Sequence, residues 1–408
     1  MQTLTKNLLN IIKWFWFKLV LPVLIAISKI IKSWGKILTK DRQFTIVLLI
    51  TIALIIGLFF FCIVPTSQNF EGNLLVSSLS FTSQGSDRLF LKNVRKLREI
   101  TISGKQKFTL VGTFNSSSHP EINQLDQLEI ELPSDNSYLT ITPTDDFTLE
   151  ELRLQQQTRI NNLKYAFYTR RLSFTIIPPN SSESPQFIFN PNSPLKITLS
   201  DYKIAKPSLT NNNIPLEFNL ETTQFQLQPT ANIQVNLQLP ENKKPVFWGN
   251  INVSNVEFEQ LIQAGDKLED NIIDSTIIAG EIRMAKQKLK LENKQFLIVN
   301  HPGIQTINRL QIIQPDSSEN LELKTTAGNK IKLSQSQTGL EISISGNTNS
   351  IKAGLNPRLT ISQIQGSLIS RYVSNDVIVA IISFSAGLIV SLFSWLFNNF
   401  PDSSRSNN

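Results

Sequence analysis

Hydrophobic and polar residues alternate at period two along most of the central part of the chain, from residue 69 to residue 366. Segments such as KFTLVGTF, LEIELP and LKITLS follow this pattern, and clusters of Pro, Asn, Ser and Gly separate them. Because successive side chains of a strand point to opposite faces, the alternation predicts many short strands with one buried face. Only TLEELRLQQQ, near residues 149–157, offers a helical alternative.

Many short strands without intervening helical patterns are typical of β-sandwiches and jelly rolls, and not of parallel α/β sheets. The sequence therefore predicts a mainly β fold, organised as one large β-domain or two consecutive ones. The Pro- and Ser-rich segment at 178–194 is the best candidate for a boundary. It divides the region into a first half, 65–178, and a second half, 179–375.

Two uncharged apolar stretches, at 44–64 and 377–397, flank the β-region. A helix rises about 1.5 Å per residue and the hydrocarbon core of a bilayer is roughly 30 Å thick, so each stretch is long enough to span a membrane. A soluble core helix of this length would have a polar face, and neither stretch carries a charge. The sequence predicts transmembrane helices at 43–64 and 376–398.

The distribution of charge predicts the orientation of these helices. The whole chain has a net charge of +7, and its first 42 residues contain eight basic residues and one acidic residue, which also gives +7. Cytoplasmic flanks of membrane helices are rich in Lys and Arg, so segment 1–42 and tail 399–408 are predicted to be cytoplasmic and the β-region extracytoplasmic. The remaining 366 residues are charge-balanced, which argues against a nucleic-acid partner for the β-region.

The absence of disulfide-forming cysteines points to a bacterial setting. Cys62 is the only cysteine of the chain and lies in the first apolar stretch. An exported domain without disulfides favours a bacterial-type envelope or an organellar membrane over a eukaryotic cell surface, and a bacterial plasma membrane with a periplasmic domain is the preferred interpretation.

A basic amphipathic segment precedes the first apolar stretch. Its lysines recur at spacings of three, four and four, which places them on one face of a helix, where anionic headgroups would attract them. An alternative is a third membrane span over residues 14–31. The lysines are Lys29, Lys32, Lys36 and Lys40.

Small residues recur near the middle of both apolar stretches. Within lipid, small residues let helix backbones approach closely, so a small-x-x-x-small spacing predicts packing of the two helices as a hairpin or across a homo-oligomer. The residues are Ala53 and Gly57 in the first stretch, and Ser383, Gly387 and Ser391 in the second.

Motifs of catalysis and metal binding have little support in this sequence. The two histidines, His119 and His301, each precede a proline and have no second ligand at metal-binding spacing, so both are interpreted as turn residues. The segments SDYK at 200–203 and SDN at 134–136 match motifs of penicillin-recognising enzymes. Their order is reversed, KTG is missing, and we interpret both as chance matches.

Carboxylates cluster at Asp145, Asp146, Glu150 and Glu151, where a solvated turn is a better interpretation than a calcium or glycosidase site. We therefore predict no catalytic, cofactor-binding or metal-binding residue, and no enzymatic activity.

A second basic run follows the first apolar stretch. It could bind anionic headgroups or an acidic envelope polymer, or it could form the solvated face of two strands. The candidates for an anionic surface are Arg88, Lys92, Arg95 and Lys96, followed by Arg98, Lys105 and Lys107.

Three functions are consistent with these features. The first is a non-catalytic, membrane-anchored β-protein that acts as an interaction, scaffold or assembly factor for other membrane or envelope proteins. The second is a lipid- or glycan-binding module in envelope transport or polysaccharide assembly, for which an apolar cavity between the sheets would be expected. The third is a carboxylate-dependent hydrolase.

Overall fold

The computed structural model describes residues 53, 55–57 and 64–398. Within the last range it leaves gaps at 86–87, 146, 180–184, 192, 207, 212–213, 223–224, 242–244, 264–270, 314–321, 325–329, 333–338, 357, 368–369 and 371–374. The chain divides into two compact units, Pro65–Asn375 and a second one formed by Met1–Val64 with Asp376–Asn408. Each is described by itself.

The unit Pro65–Asn375 is built from strands, so the prediction of a mainly β fold is confirmed. In chain order the described strands are β1 (Gln68–Val76), β2 (Ser78–Ser83), β3 (Arg88–Arg95), β4 (Glu99–Ser103), β5 (Gln106–Val111), β6 (Thr113–Asn115), β7 (Gln127–Leu132), β8 (Tyr138–Pro143), β9 (Phe147–Leu154), β10 (Arg159–Ala166), β11 (Arg171–Ile177), β12 (Gln186–Pro191), β13 (Leu195–Ser200), β14 (Tyr202–Ile204), β15 (Leu209–Asn211), β16 (Leu216–Glu221), β17 (Phe225–Leu227), β18 (Ile233–Gln238), β19 (Val246–Phe247), β20 (Ile251–Glu257), β21 (Glu259–Gln263), β22 (Asn271–Ser275), β23 (Ile277–Met284), β24 (Gln287–Leu291), β25 (Phe296–Val299), β26 (Pro302–Ile313), β27 (Glu322–Lys324), β28 (Lys330–Lys332), β29 (Gly339–Thr348), β30 (Ser350–Asn356) and β31 (Leu359–Gln365).

Fifteen strands form one continuous sheet in the order β24-β23-β1-β29-β26-β20-β2-β10-β11-β18-β4-β8-β13-β16-β6. A five-stranded sheet has the order β17-β12-β9-β3-β19, and a four-stranded sheet the order β15-β14-β7-β5. A three-stranded sheet, β25-β30-β31, and the pairs β21-β22 and β27-β28 complete the described strands. The described pairs are antiparallel, as the alternation of hydrophobic and polar residues favours.

Aromatic side chains join the five-stranded sheet to the fifteen-stranded sheet. Phe90 on β3 contacts Phe81 on β2 and Phe174 on β11, with ring centroids 5.7 and 6.1 Å apart. These rings belong to one buried apolar cluster that extends from Phe70 on β1 to Ile364 on β31. Burial of this cluster is the main stabilising contribution to the unit.

Strands from both sides of segment 178–194 pair with one another. β13 pairs with β8, and β18 lies between β11 and β4, while β12, within the segment itself, pairs with β9. The residues from 65 to 375 thus form a single compact unit by their contacts.

The helical alternative for residues 149–157 is wrong. Phe147–Leu154 is strand β9, in which Leu149, Leu152 and Leu154 are buried against the core. Pairing with β3 on one side and β12 on the other satisfies its backbone groups. A short 3₁₀ helix, Pro120–Gln124, lies between β6 and β7.

The other unit contains one long described helix, α1 (Asn375–Asn398). Its side chains are described without a break only from Asp376 to Leu388, where Ile378 and Ser385 are buried and Val379 and Phe384 are exposed. Among the residues that the structure describes, no helix combines the length and the apolar character that crossing a membrane requires. The predicted anchors therefore stay predictions, and most of the first one, 43–64, falls outside the described residues.

Candidate functional site

The basic run predicted from the sequence lies along strand β3 and in the turn after it. Arg88 is exposed and Lys92 half-buried along the strand, while Phe90 and Leu91 between them belong to the core. Arg95 ends the strand, and Lys96 adopts a left-handed backbone with φ 61° that turns the chain toward β4. The structure therefore divides the run into a part along the strand and a part at its end.

Lys92 contacts the one tryptophan of the β-unit. Its ammonium nitrogen lies 5.1 Å from the ring centroid of Trp248, which is 48% exposed. The backbone N–H of Trp248 donates to the carbonyl of Phe90 at 3.0 Å, so β3 positions both partners. A cation–π contact at an exposed site contributes about 0.5–1 kcal/mol, which is enough to orient the indole ring.

Three turns meet at the end of β3 and bring together cations that are distant in sequence. Glu241 joins two of these turns, because its Oε1 lies 2.7 Å from Arg170 Nη1 and 3.7 Å from Arg98 Nη2. The hydrogen bond from Arg170 and the charges of Arg170 and Arg98 hold the pKa of the Glu241 carboxyl below its ordinary value. We define the basic rim as Arg95, Lys96, Arg98, Arg170 and Arg171.

Backbone hydrogen bonds fix the positions of these turns. The N–H of Arg98 donates to the carbonyl of Gln238 at 3.0 Å, and the N–H of Leu239 donates to the carbonyl of Arg170 at 2.9 Å. A depression of about 670 Å³, open to solvent, is lined by Lys96, Arg98 and Asp145 among others.

An aromatic side chain projects from the basic rim. Tyr168 lies in the turn between β10 and β11 and is 96% exposed. Its ring packs edge-on against the ring of Phe167, with centroids 5.6 Å apart. The N–H of Arg170 donates to the carbonyl of Phe167 at 3.2 Å and closes this turn. The arrangement presents an aromatic ring at the tip of a hairpin, with arginines at its base.

The two ends of the β-unit lie side by side. Pro65 forms an antiparallel bridge with Ser367, and the N–H of Thr66 donates to the carbonyl of Gly366 at 2.8 Å. The side-chain amide of Gln68 donates to the carbonyl of Ser367 at 3.3 Å. We call this contact between residues 65–68 and 366–367 the terminal junction.

The two segments that match motifs of penicillin-recognising enzymes are neighbours in space. The hydroxyls of Ser134 and Ser137 both donate to Asp201 Oδ2, at 2.5 and 2.7 Å. Asp201 has a left-handed backbone with φ 50°, at the bend between β13 and β14. These bonds tie the β7–β8 loop to that bend. Lys203 pairs with Glu131 in the four-stranded sheet, so the arrangement fits a structural role.

The hydrogen bonds at Asp201 predict a pH dependence of stability. They hold the pKa of its carboxyl below the ordinary value of 3.8. A lowered pKa in the folded state stabilises the fold above pH 3.8, and this contribution is lost as the pH falls through the lower folded-state value. We expect Asp201→Asn, which tolerates the left-handed backbone, to lower the midpoint of thermal unfolding at pH 7. The difference from the parent should shrink at acid pH, where the Asp201 carboxyl of the parent becomes protonated. A constant difference between pH 7 and pH 3 would contradict this assignment.

The histidines lie in separate turns. His119 precedes the 3₁₀ helix, and its Nδ1 lies 3.1 Å from Glu121 Oε1. His301 lies in an exposed turn before Pro302. Within the described part of the chain, no three His, Cys, Asp or Glu side chains are grouped so that they could hold a metal ion.

The described carboxylates of the acidic cluster do not face one common point. Glu150 accepts from the side-chain amide of Asn190 at 3.1 Å, and Glu151 pairs with Arg153 at 2.6 Å. Asp145 lines the depression beside the basic rim, and Asp146 lies outside the described residues.

The helix-packing candidates are only partly described. Ala53, Ser383, Gly387 and Ser391 are exposed, and a Cβ added at Gly387 would have no neighbour within 4 Å. The same is true of a Cβ added at Gly57. The predicted packing through these residues stays a prediction. The candidates Lys29, Lys32, Lys36 and Lys40 lie outside the described residues.

Sequence reasoning missed Arg170, Arg171, Tyr168 and Glu241. The available signal was the segment FYTRR at 167–171, an aromatic and basic turn between two alternating strands. The chain matches no protein-family model, no curated protein and no solved structure.

Proposed function

We propose that this protein is a membrane-anchored scaffold whose β-unit organises partner proteins at an extracytoplasmic surface. The observation that carries this proposal is the terminal junction, where Pro65 bridges Ser367. A unit whose two ends leave from one point is suited to attachment to a single membrane by both ends. Such attachment would leave the remainder of the fifteen-stranded sheet free for contacts with other proteins.

The anchors proposed for this scaffold are transmembrane helices at 43–64 and 376–398, with both termini in the cytoplasm. The second anchor rests on the uncharged apolar stretch 377–397 of the sequence, in which Val379, Phe384 and Val390 are exposed. Exposed apolar side chains on an uncharged helical face are costly in water and favourable in lipid. The charge-balanced β-unit would then lie outside a bacterial plasma membrane.

A scaffold role also agrees with the way the sheets pack. The sheets share one continuous apolar cluster, in which Phe90 contacts Phe81 and Phe174. The described depressions near β3, near β5 and near β6 are open to solvent. A module that holds a lipid or glycan between its sheets would need a cavity in the place of this core, so that alternative has less support.

The hydrolase alternative also has less support. Each described carboxylate of the acidic cluster has a separate environment, and Glu151 and Glu150 have Arg153 and Asn190 as partners. Paired carboxylates that cleave a glycosidic bond must face one common space. We propose no cofactor for this protein.

Cysteine labelling tests the topology. In a Cys62→Ser background, we expect Ser117→Cys, on an exposed loop of the β-unit, to react with a membrane-impermeant maleimide in intact spheroplasts. We expect Ser404→Cys to react only after lysis, because tail 399–408 is proposed to be cytoplasmic. The reverse pattern would overturn the orientation, and labelling of both positions would overturn the pair of anchors.

A disulfide across the terminal junction tests its geometry. The hydrogen bond from Thr66 to Gly366 makes Pro65 and Ser367 a non-hydrogen-bonded antiparallel pair, whose Cα atoms lie about 4.5 Å apart. This separation permits a disulfide. In the Cys62→Ser background, we expect Pro65→Cys with Ser367→Cys to oxidise fully and to raise the unfolding midpoint, with a stabilisation of about 2–4 kcal/mol.

Mass spectrometry of the non-reduced protein would detect this bond. The matched control pairs Pro65→Cys with Ser117→Cys, which lies on the β6 side of the sheet order and should keep two free thiols. Free thiols in the junction variant would contradict the proposed adjacency of the two ends.

A further inference from the structure

The basic rim is a local excess of positive charge on a part of the chain that is otherwise balanced. Its five cations outnumber the acids that the described residues place beside them, which are Glu241, in contact with Arg98 and Arg170, and Asp145, in the same depression as Lys96 and Arg98. The sequence after residue 42 has no net charge, so this excess reflects segregation of charge and not the composition of the unit. Segregated charge attracts a ligand of the opposite sign.

Two arginines of the basic rim are oriented by an ion-pair partner before any ligand binds. Glu241 binds Arg170 at 2.7 Å and lies near Arg98 at 3.7 Å, which orients both guanidinium groups. Arg98 and Glu241 are more than half exposed and Arg170 is 37% exposed, so water screens these pairs and the arginines remain accessible to an anion. A guanidinium group matches the geometry of a phosphate oxygen pair.

Tyr168 adds a second kind of contact. A tyrosine that is 96% exposed at a hairpin tip contributes little to folding, because its ring stays in water. Rings with an apolar body and a polar end are enriched at membrane–water interfaces. Beneath it, Phe167 supports the ring edge-on and keeps it projecting outward.

We propose that the basic rim and Tyr168 together form a site for anionic phospholipid headgroups on a bilayer surface. The arginines bind the headgroup phosphates, and Tyr168 enters the interface beside them. A projecting tip suits a planar surface, whereas an acidic polymer would be held along a groove. This site goes beyond the proposed scaffold function, since it requires neither the anchors nor their orientation.

Vesicle flotation tests this site with the full chain. The protein is placed in nanodiscs of neutral phosphatidylcholine and mixed with vesicles of phosphatidylcholine alone or with phosphatidylglycerol added. We expect binding only to the vesicles that contain phosphatidylglycerol, and we expect it to weaken as salt rises. Each cation near an anionic surface contributes about fivefold to the affinity, so Arg170→Gln with Arg171→Gln should weaken binding about 25-fold.

The matched control is Lys105→Gln with Lys107→Gln, which removes the same charge at the far end of β4, where Lys107 pairs with Glu131. The affinity of this control variant for the vesicles should be within about twofold of the parent's, since these lysines lie outside the basic rim. Equal losses in both double variants would overturn the site in favour of general charge attraction. Tyr168→Ala should weaken binding severalfold with an unchanged unfolding midpoint, and unchanged binding would overturn the role of Tyr168.

Two further outcomes overturn the proposal. One is the absence of binding to phosphatidylglycerol vesicles. The other is binding of an acidic polysaccharide such as alginate to the same arginines without any binding to vesicles. Neither outcome affects the cysteine-labelling test, so a failure of this site and a failure of the proposed topology are distinguishable.

Discussion

Replacement of Phe90 by Ala is expected to cost about 3–5 kcal/mol of the free energy of unfolding. Phe90 is fully buried on β3, and its ring contacts Phe81, Phe174 and Phe247 at centroid distances of 5.7, 6.1 and 5.6 Å. Because these partners come from β2, β11 and β19, the smaller side chain leaves a cavity where the five-stranded and fifteen-stranded sheets meet. The substitution removes edge-to-face contacts with Phe81 and Phe174 of the fifteen-stranded sheet and a tilted contact with Phe247 of the five-stranded sheet.

Chemical denaturation of the purified protein, followed by far-ultraviolet circular dichroism, measures this effect. Tyr168→Ala is the matched control, because it removes an aromatic ring of similar size that is 96% exposed. Its midpoint should equal that of the parent protein. An unchanged midpoint for Phe90→Ala would mean that the two sheets do not share the core described above.

The strands could be predicted from the sequence because their signal is local. In β13, for example, Leu195, Ile197 and Leu199 are buried while the residues between them are not, and the period of two is visible in LKITLS. The order of the strands could not be predicted in this way. β18 lies between β11 and β4, and nothing within any of these segments specifies its neighbours. Any strand with one apolar face can occupy such a position, so the order depends on the packing of the whole core.

The candidate site was predicted only in part, for a related reason. Arg95 and Lys96 were found because they are consecutive in a basic run. Arg170 is linked to Arg98 of the same run through Glu241, which lies about seventy residues further along the chain. A surface assembled from three turns has no signature in any one of them.

The segments that match enzyme motifs illustrate the opposite case. Ser134 and Asp201 do meet, although the sequence favoured chance matches. The contact nevertheless joins the β7–β8 loop to the bend between β13 and β14. Ser137 is a second donor to the Asp201 carboxylate. Proximity of residues from two motifs does not by itself make a catalytic arrangement, since roles depend on the geometry of each group.

Replacement of Gly346 by Ala is expected to destabilise the β-unit by about 2–3 kcal/mol, although the change adds a single methyl group. Gly346 lies on β29, directly opposite Phe70 on β1 and Ile304 on β26. A Cβ at this position would overlap the carbonyl oxygen of Gly303 and would lie 2.9 Å from the Phe70 ring. The carbonyl belongs to the backbone and cannot rotate away, so strand β26 must move.

This displacement should also reach the terminal junction, because β1 begins at Gln68 and the N–H of Gly366 donates to the carbonyl of Asn349, which directly follows β29. We therefore expect Gly346→Ala to slow oxidation of the cysteine pair at 65 and 367, in addition to lowering the unfolding midpoint. Ser343→Ala on the same strand is the matched control and should change neither quantity appreciably. If Gly346→Ala lowered the midpoint but left oxidation unchanged, the junction would be independent of β29. If it changed neither, the close approach of β26 and β29 at Gly303 would be wrong.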